Sequence, residues 1–407
     1  MRGKFIEGLK ALSVVFFSVC LFLFIAEVCL RGVDFPPEPV FGWKWRNSPY
    51  KSEANLLDTR VNELELRGRP ISYEKDDFVI VLLGDSYTEA GSQPFEDMPE
   101  QILERLFRDK YHYERVRVFS VASAGWGQDQ QLIWLLNYFS RFRADLVLMW
   151  LTPINDYWEN GNVDRSVAPI AGPLKPTFKP SANDLELAYP RSHTKIRLLL
   201  ERAIAHVQYG RDAGIEQFYT NRWLESLPAS NLSPVSSSTC PETEIDQYQL
   251  VSALQKGQTL TAITDENLSE GRSHFSHFLY PQSLREAYQI RMTHRLIEKA
   301  KSFSEARGAS FRAFYPKASD IDKALGLVKC VREKATGNYY AADFSDVTAD
   351  ISGGALRESL LPIDIGSDEP TVISARDWHL NRAGNLLAMD GVARQLIQKN
   401  VLYRRDN

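Results

Sequence analysis

Histidine and cysteine are scarce in this chain, seven and four among 407 residues. Four cysteines make no disulfide framework. Cys20 and Cys29 fall inside an apolar run near the start, and Cys240 and Cys330 are the only two outside it. The sequence leaves open whether those two pair. No group of histidine, cysteine and acid has the spacing of a metal site. His274 and His277 lie in Ser-His-Phe-Ser-His-Phe without a close cysteine or acid, and read as surface or core histidines rather than zinc ligands. No cofactor and no metal is expected. An excess of positive charge is missing too. The 48 basic and 52 acidic residues leave a net charge of −4, which gives no electrostatic case for a nucleic-acid partner.

What the chain does have is one long apolar run. Arg2, Lys4 and Lys10 precede residues 11–30, which carry a single charge, Glu27. Twenty such residues can span a hydrocarbon core. The basic flank keeps the start in the cytoplasm and exports the rest. A cleaved signal peptide is the rival reading, but the run is long for one and Ala26-Glu27-Val28 is not a small-residue cleavage pattern. The expected organisation is a cytoplasmic start at 1–10, an uncleaved transmembrane anchor at 11–30 and a juxtamembrane lead-in at 31–75. A single domain at 76–407 follows, on the periplasmic side of the inner membrane, with an insertion at about 157–283. The prolines and tryptophans of the lead-in (Pro37, Pro39, Trp43, Trp45, Pro49) argue against regular structure there.

From Phe78 the pattern becomes an alternation of strands and helices, which predicts an α/β fold with a doubly wound, mostly parallel sheet. Strands are expected at 78–83, 116–121, 146–151, 310–315 and 371–374. Helices are expected at 98–107, 130–139, 195–208, 284–307, 324–334 and 383–398, with Ser283 and Asn381 as caps. The first strand ends in Gly84-Asp85-Ser86. Functional groups of such folds gather past the carboxyl ends of parallel strands. A bland reading makes Ser86 or Thr88 a helix cap. A sharper one pairs Ser86 with Asp377-Trp378-His379 near the far end, the ingredients of a nucleophilic triad. Ser86 is then the nucleophile, His379 its base and Asp377 the acid that orients the imidazole. Asp85, Asp129 and Asp156 are the other acids close by in sequence motifs.

At these residues the chain resembles the SGNH or GDSL-type hydrolases. Gly84-Asp85-Ser86 matches the family's first block. The stretch from Ser120 to Gly127 resembles the second, with Gly125 at the backbone oxyanion donor. Pro153-Ile154-Asn155-Asp156 resembles the third, with Asn155 at the side-chain donor, and Asp377 and His379 match the last. The second block opens with Ser120 where the family has asparagine, and the third with Pro153 where it has glycine. The resemblance implies a flavodoxin-like three-layer fold. It also implies an oxyanion hole made by the Ser86 and Gly125 N–H groups and the Asn155 amide. The single residue between Asp377 and His379 is similar to membrane-associated members that handle acetyl groups on exported polysaccharides. The expected function is therefore hydrolysis or transfer of an acyl, most simply acetyl, ester. The substrate would be an acyl ester or acetylated carbohydrate, with envelope polysaccharide machinery as partner. The alternative is a catalytically weak polysaccharide-binding module of an envelope assembly.

Overall fold

The computed structural model describes residues 2–33, 60–64, 66–161, 177–180, 184–188, 194–209, 228–240, 244–246, 249–256, 262–265, 268, 273–317, 319–345, 356–367, 369–374 and 377–402. The Pro- and Trp-rich part of the lead-in and the aromatics Tyr189, Phe218, Tyr219 and Trp223 of the insertion lie outside these. The chain opens with one continuous helix, α1 (Arg2–Gly32). From Lys10 to Gly32 it is long and apolar enough to cross a membrane, and most of that span is exposed.

The core begins at β1 (Phe78–Gly84), seven residues that are all buried. A strand with apolar side chains in both directions must be covered on both faces. The single turn α2 (Ser86–Glu89) follows, then α3 (Pro99–Arg105), which starts on a proline whose missing N–H would have had no helical partner anyway. Next come β2 (Val116–Ala122), α4 (Gln128–Tyr138), β3 (Leu146–Trp150) and α5 (Pro153–Gly161). After a small hairpin of β4 (Thr177–Pro180) and β5 (Leu185–Ala188), and the helix α6 (Lys195–Tyr209), come β6 (Glu244–Asp246), α7 (Leu250–Gln255), β7 (Ala262–Asp265) and β8 (Leu279–Tyr280). The long α8 (Leu284–Glu305) is started by a capping box, Ser283 with Glu286. It leads to β9 (Ser310–Lys317), α9 (Ser319–Gly326), β10 (Cys330–Glu333), β11 (Tyr339–Ala342) and β12 (Leu360–Asp364). The chain closes with β13 (Val372–Ser374), β14 (Asp377–Leu380) and α10 (Arg382–Gln398), the last capped by the Asn381 side chain on the Gly384 N–H.

The main sheet has the order β2–β1–β3–β9–β12, with every neighbouring pair parallel. Ile80, Leu82, Val118 and Leu148 face one apolar layer with Ile102 and Leu103 of α3 and Met389 and Val392 of α10. Val79, Val81, Val121 and Val147 face the other, with Leu132 and Leu135 of α4 and Leu296 and Ile297 of α8. The chain steps from β1 outward to β2, then returns to the far side of β1 to lay down β3. Such a reversal leaves a crevice beyond the strand ends, where ligands of open α/β sheets bind.

Three expectations need correction. The segment 324–334 is not one helix: α9 stops at Gly326, and Cys330–Glu333 is drawn into a strand by pairing with β7 and β11. The run at 371–374 is not a strand of the main sheet. It pairs only with β14, antiparallel, so Asp377 and His379 lie on a strand rather than after one. The fifth strand of the main sheet is instead β12, whose Leu-Leu-Pro-Ile-Asp the expected pattern did not include. Pro362 is tolerable there because β12 is an edge strand.

A second five-stranded sheet, β6–β7–β10–β11–β8, joins strands from before α8 to strands from after β9. Cys240, just before β6, and Cys330, the first residue of β10, are disulfide-bonded with a Cα–Cα distance of 5.9 Å. Both are buried in a small cluster with Ala262. The pairing that the sequence left open is therefore formed.

Candidate active site

Three adjacent parallel strands, β2, β1 and β3, end at one edge of the sheet, and each carries one block of the sequence motif past its end. At the end of β1 a tight turn is needed. A Cβ at Gly84 would fall 1.9 Å from Thr88 Oγ1, so only glycine allows α2 to fold back so closely. The helix cap here is Asp85, whose Oδ1 accepts the Tyr87 N–H at 2.9 Å. Ser86 is thereby relieved of a capping role. Its Oγ lies 2.8 Å from His379 Nε2.

The other end of the imidazole is held within β14. His379 Nδ1 lies 2.6 Å from Asp377 Oδ1, and the same oxygen accepts the His379 backbone N–H at 3.1 Å. The spacing explains itself once the segment is a strand: residues two apart point to the same face. Asp377 and His379 share one face, while Trp378 between them turns toward the core, its ring centroid 6.5 Å from that of Phe275. With Nδ1 donating to the carboxylate, Nε2 is left to accept the Ser86 hydroxyl proton. Both side chains are partly open, each 38% exposed.

Gly125 sits in the loop after β2 with φ +74°, in the left-handed region that favours glycine. Asn155 lies in the first turn of α5, after β3, and its N–H donates to Thr152 O at 2.8 Å. Its side-chain amide makes no hydrogen bond among the described residues. Asp156, beside it, turns inward and accepts the Thr152 N–H with Oδ2 at 2.7 Å. Asp85 and Asp156 are therefore braces of their own turns rather than partners of His379, and Asp129 accepts the Gln130 N–H at the start of α4.

Two residues at the site carried no functional reading in the sequence. Tyr87 donates its hydroxyl to the Trp378 carbonyl at 3.1 Å, and its ring lies 4.8 Å from that of His379. It pins the strand that carries the histidine. Glu89 is buried, and its carboxylate accepts the Ala124 N–H at 2.9 Å, one residue before Gly125. The turn beneath is held by Arg67, a fully buried guanidinium that donates to the carbonyls of Glu89, Ala90 and Gln93. The only hint of Glu89 is its place three residues after Ser86 on a helical turn.

Electrostatics follow from this burial. Removal from water, reinforced by the nearby Glu159 charge, pushes Asp85 up to about 6. Burial pushes Glu89 up to about 7, against the pull of the Ala124 N–H and Arg67. For His379, burial acts downward, but the hydrogen bond and charge of Asp377, with Asp85 and Glu89 beyond, carry it above its ordinary 6.5. For Asp377 burial acts upward and the contact with His379 outweighs it, leaving the carboxyl below 3.8.

Next to Ser86 and His379 in sequence, Tyr87 and Leu380 line a small, mostly apolar pocket with Trp150, Ile154 and Tyr315. Among the described residues no group of three or more histidines, cysteines and acids could hold a metal ion.

No protein-family model matches the chain, and no curated protein does. Among solved structures, the chain is similar to the acetyl xylan esterase AlAXEase, with 9% identity and a TM-score of 0.26, over 77% of this chain and 98% of that one. It is also similar to LAE5, an alpha/beta hydrolase enzyme from the metagenome of Lake Arreo, Spain, with 12% identity and a TM-score of 0.26, over 80% and 96%. Likenesses at this level carry no argument about chemistry, which rests on the geometry of the site.

Proposed function

We propose that this chain is a serine-dependent esterase or O-acyltransferase of the SGNH/GDSL type. In this reading it is held in the inner membrane by residues 11–30, with its catalytic domain on the periplasmic side. It acts on an acyl ester, most simply acetyl, of an exported or cell-envelope polysaccharide. The observation that carries the reading is the hydrogen-bonded relay Ser86–His379–Asp377, closed between residues 293 apart in sequence. The 2-1-3-4-5 order of the main sheet, with helices on both faces, supports a three-layer doubly wound domain of flavodoxin type.

In the mechanism, His379 Nε2 takes the Ser86 proton as Oγ attacks the ester carbonyl. Asp377 holds the imidazole and stabilises the imidazolium that forms. Negative charge develops on the carbonyl oxygen. The N–H groups of Ser86 and Gly125 and the Asn155 amide are its donors, each worth roughly 3 kcal/mol in the transition state. His379 then protonates the leaving alcohol. The acyl-enzyme passes to water in an esterase, or to a sugar hydroxyl in a transferase.

The test is a serine-directed fluorophosphonate probe with peptide mapping, run beside turnover of a chromogenic acetyl ester. Covalent labelling at Ser86, lost in His379→Ala, is the expected result. No labelling and no turnover, with glycan binding retained, would refute the enzyme reading in favour of a binding module.

A further inference from the structure

The one charge in the apolar run has a partner far along the chain. Glu27 Oε1 accepts the Lys195 N–H at 2.9 Å and Oε2 accepts the Ile196 N–H at 3.1 Å. These are the first two residues of α6, whose N–H groups have no acceptor inside their own helix. Oε1 also accepts from Arg31 Nε at 2.7 Å. A carboxylate is expensive in an apolar helix unless it is paired. Here it caps the positive end of a second helix. α1 and α6 accordingly lie in contact.

That second helix has a face with nothing on it. Leu200, Ile204 and Val207 are 59%, 46% and 84% exposed. Spaced by four and three, they form one stripe. Outside α1, no other helix among the described residues leaves three large apolar side chains exposed. The level of the contact along α1 is also informative. Glu27 is five residues from the helix end at Gly32, roughly 7 Å at the rise of an α-helix. Amphipathic helices settle at about this depth, ~5–10 Å into the headgroup and acyl boundary. In the sequence of α6 three basic residues, Lys195, Arg197 and Arg202, stand against one acid, Glu201, and of these Lys195 is buried. Interfacial helices combine such a basic character with an apolar stripe.

We propose that α6 lies in the surface of the bilayer that α1 spans, with Leu200, Ile204 and Val207 in the lipid and its N-terminus tied to Glu27. The proposal rests on the reading of α1 as a membrane anchor. The bilayer is the occupant because α6 starts against the helix read as crossing it, at Glu27 near that helix's end. The insertion then gives the exported domain a second, peripheral hold on the membrane.

The test uses the full chain with Cys20→Ala and Cys29→Ala; the Cys240–Cys330 pair is bonded and does not react. Single cysteines are placed by Leu200→Cys, Ile204→Cys and Val207→Cys. Controls are Val14→Cys in α1 and Leu136→Cys on α4. Each is labelled with an environment-sensitive fluorophore in vesicles of phosphatidylcholine and phosphatidylglycerol, with and without a nitroxide on the lipid chain. Phosphonate labelling at Ser86 verifies that each variant is folded. The expected result is blue-shifted emission, quenched several-fold by the nitroxide, at 14, 200, 204 and 207 but not at 136. Quenching at 14 with none at 200, 204 and 207 overturns the docking and leaves the anchor standing. No quenching at 14 either overturns both. A blue shift at 207 without quenching means that protein, such as a second copy of the chain, covers the stripe, and overturns the proposal as well.

Discussion

Breaking the Cys240–Cys330 bond is the perturbation whose size can be worked most directly from the structure. The bond closes a loop between residues 90 apart. A cross-link over that length removes about 15 cal/mol/K of chain entropy from the unfolded state, or about 4.6 kcal/mol at room temperature. The two cysteines sit on different segments of the second sheet, one just before β6 and one opening β10, so the loop encloses most of that sheet's strands. For a guanidinium slope of roughly 5 kcal/mol/M, the unfolding midpoint should fall by about 0.9 M. The assay is equilibrium unfolding of the full chain in nonionic detergent, followed by tryptophan fluorescence. Wild type is compared with the Cys240→Ala, Cys330→Ala double variant, each with and without dithiothreitol. Reductant should bring the wild type close to the variant and leave the variant unmoved. Both sulfurs are buried, so reduction must be done under partial unfolding. A midpoint shift below about 0.2 M between bonded and unbonded protein would refute the chain-entropy argument. Four free thiols in denatured protein purified without reductant, rather than the two of Cys20 and Cys29, would refute the bond.

Further expectations concern the reaction, read as kcat/KM on a soluble acetyl ester. Ser86→Ala and His379→Ala should each abolish turnover without unfolding the protein; a folded Ser86→Ala enzyme at the wild-type rate would end the serine mechanism. Asn155→Ala should be milder, about 3 kcal/mol or two orders of magnitude, because two backbone donors remain. Activity requires neutral His379, so the rate should fall on the acid side of a pKa above 6.5. In Asp377→Asn that limb should move to lower pH, since the hydrogen bond and charge that raise the pKa are gone, while the plateau drops by about 10²–10⁴-fold; an unmoved limb would separate Asp377 from the titration. Glu89→Ala should leave the Ala124 N–H unsatisfied, at a cost of about 1–3 kcal/mol in stability, and lower kcat. Glu89→Gln keeps an acceptor and should restore most of kcat, a rescue that thermal melts and rates together can test.

The parts of this molecule that were legible in the sequence are those governed by local chemistry. β1 is a run of β-branched and aliphatic residues, α8 starts on a Ser-x-x-Glu box, and α10 starts on an asparagine; each forms where the pattern puts it. The motif residues Ser86, Asp377 and His379 were named from sequence and meet within hydrogen-bond distance. What was not legible depends on partners far along the chain. Cys-Val-Arg-Glu at β10 becomes a strand because β7 and β11 flank it, and Leu-Leu-Pro-Ile-Asp at β12 because β9 offers its free edge. Asp377-Trp378-His379 is too short to declare itself a strand until Val372 and Ser374 pair with it. Glu89 was invisible for a related reason: its role is defined by a backbone N–H in a different loop.

The buried Arg67 bears on where a soluble version of this protein can begin. The strand that carries Gly84-Asp85-Ser86 begins at Phe78, and a truncation just upstream of it would look generous. Yet Arg67 reaches down into the turn behind Ser86 and takes three of its carbonyls, one of them that of Ala90, which sits at φ +47°. Asn62, in turn, holds the backbone of Leu64 and Leu66 around that arginine. A fragment starting at residue 76 would leave those carbonyls without the Arg67 donor and release a strained turn just after the helix that starts at Ser86. Residues 60–67 are thus part of the domain's foundation rather than a tether. Fragments for crystallisation or assay should keep everything from residue 60 onward.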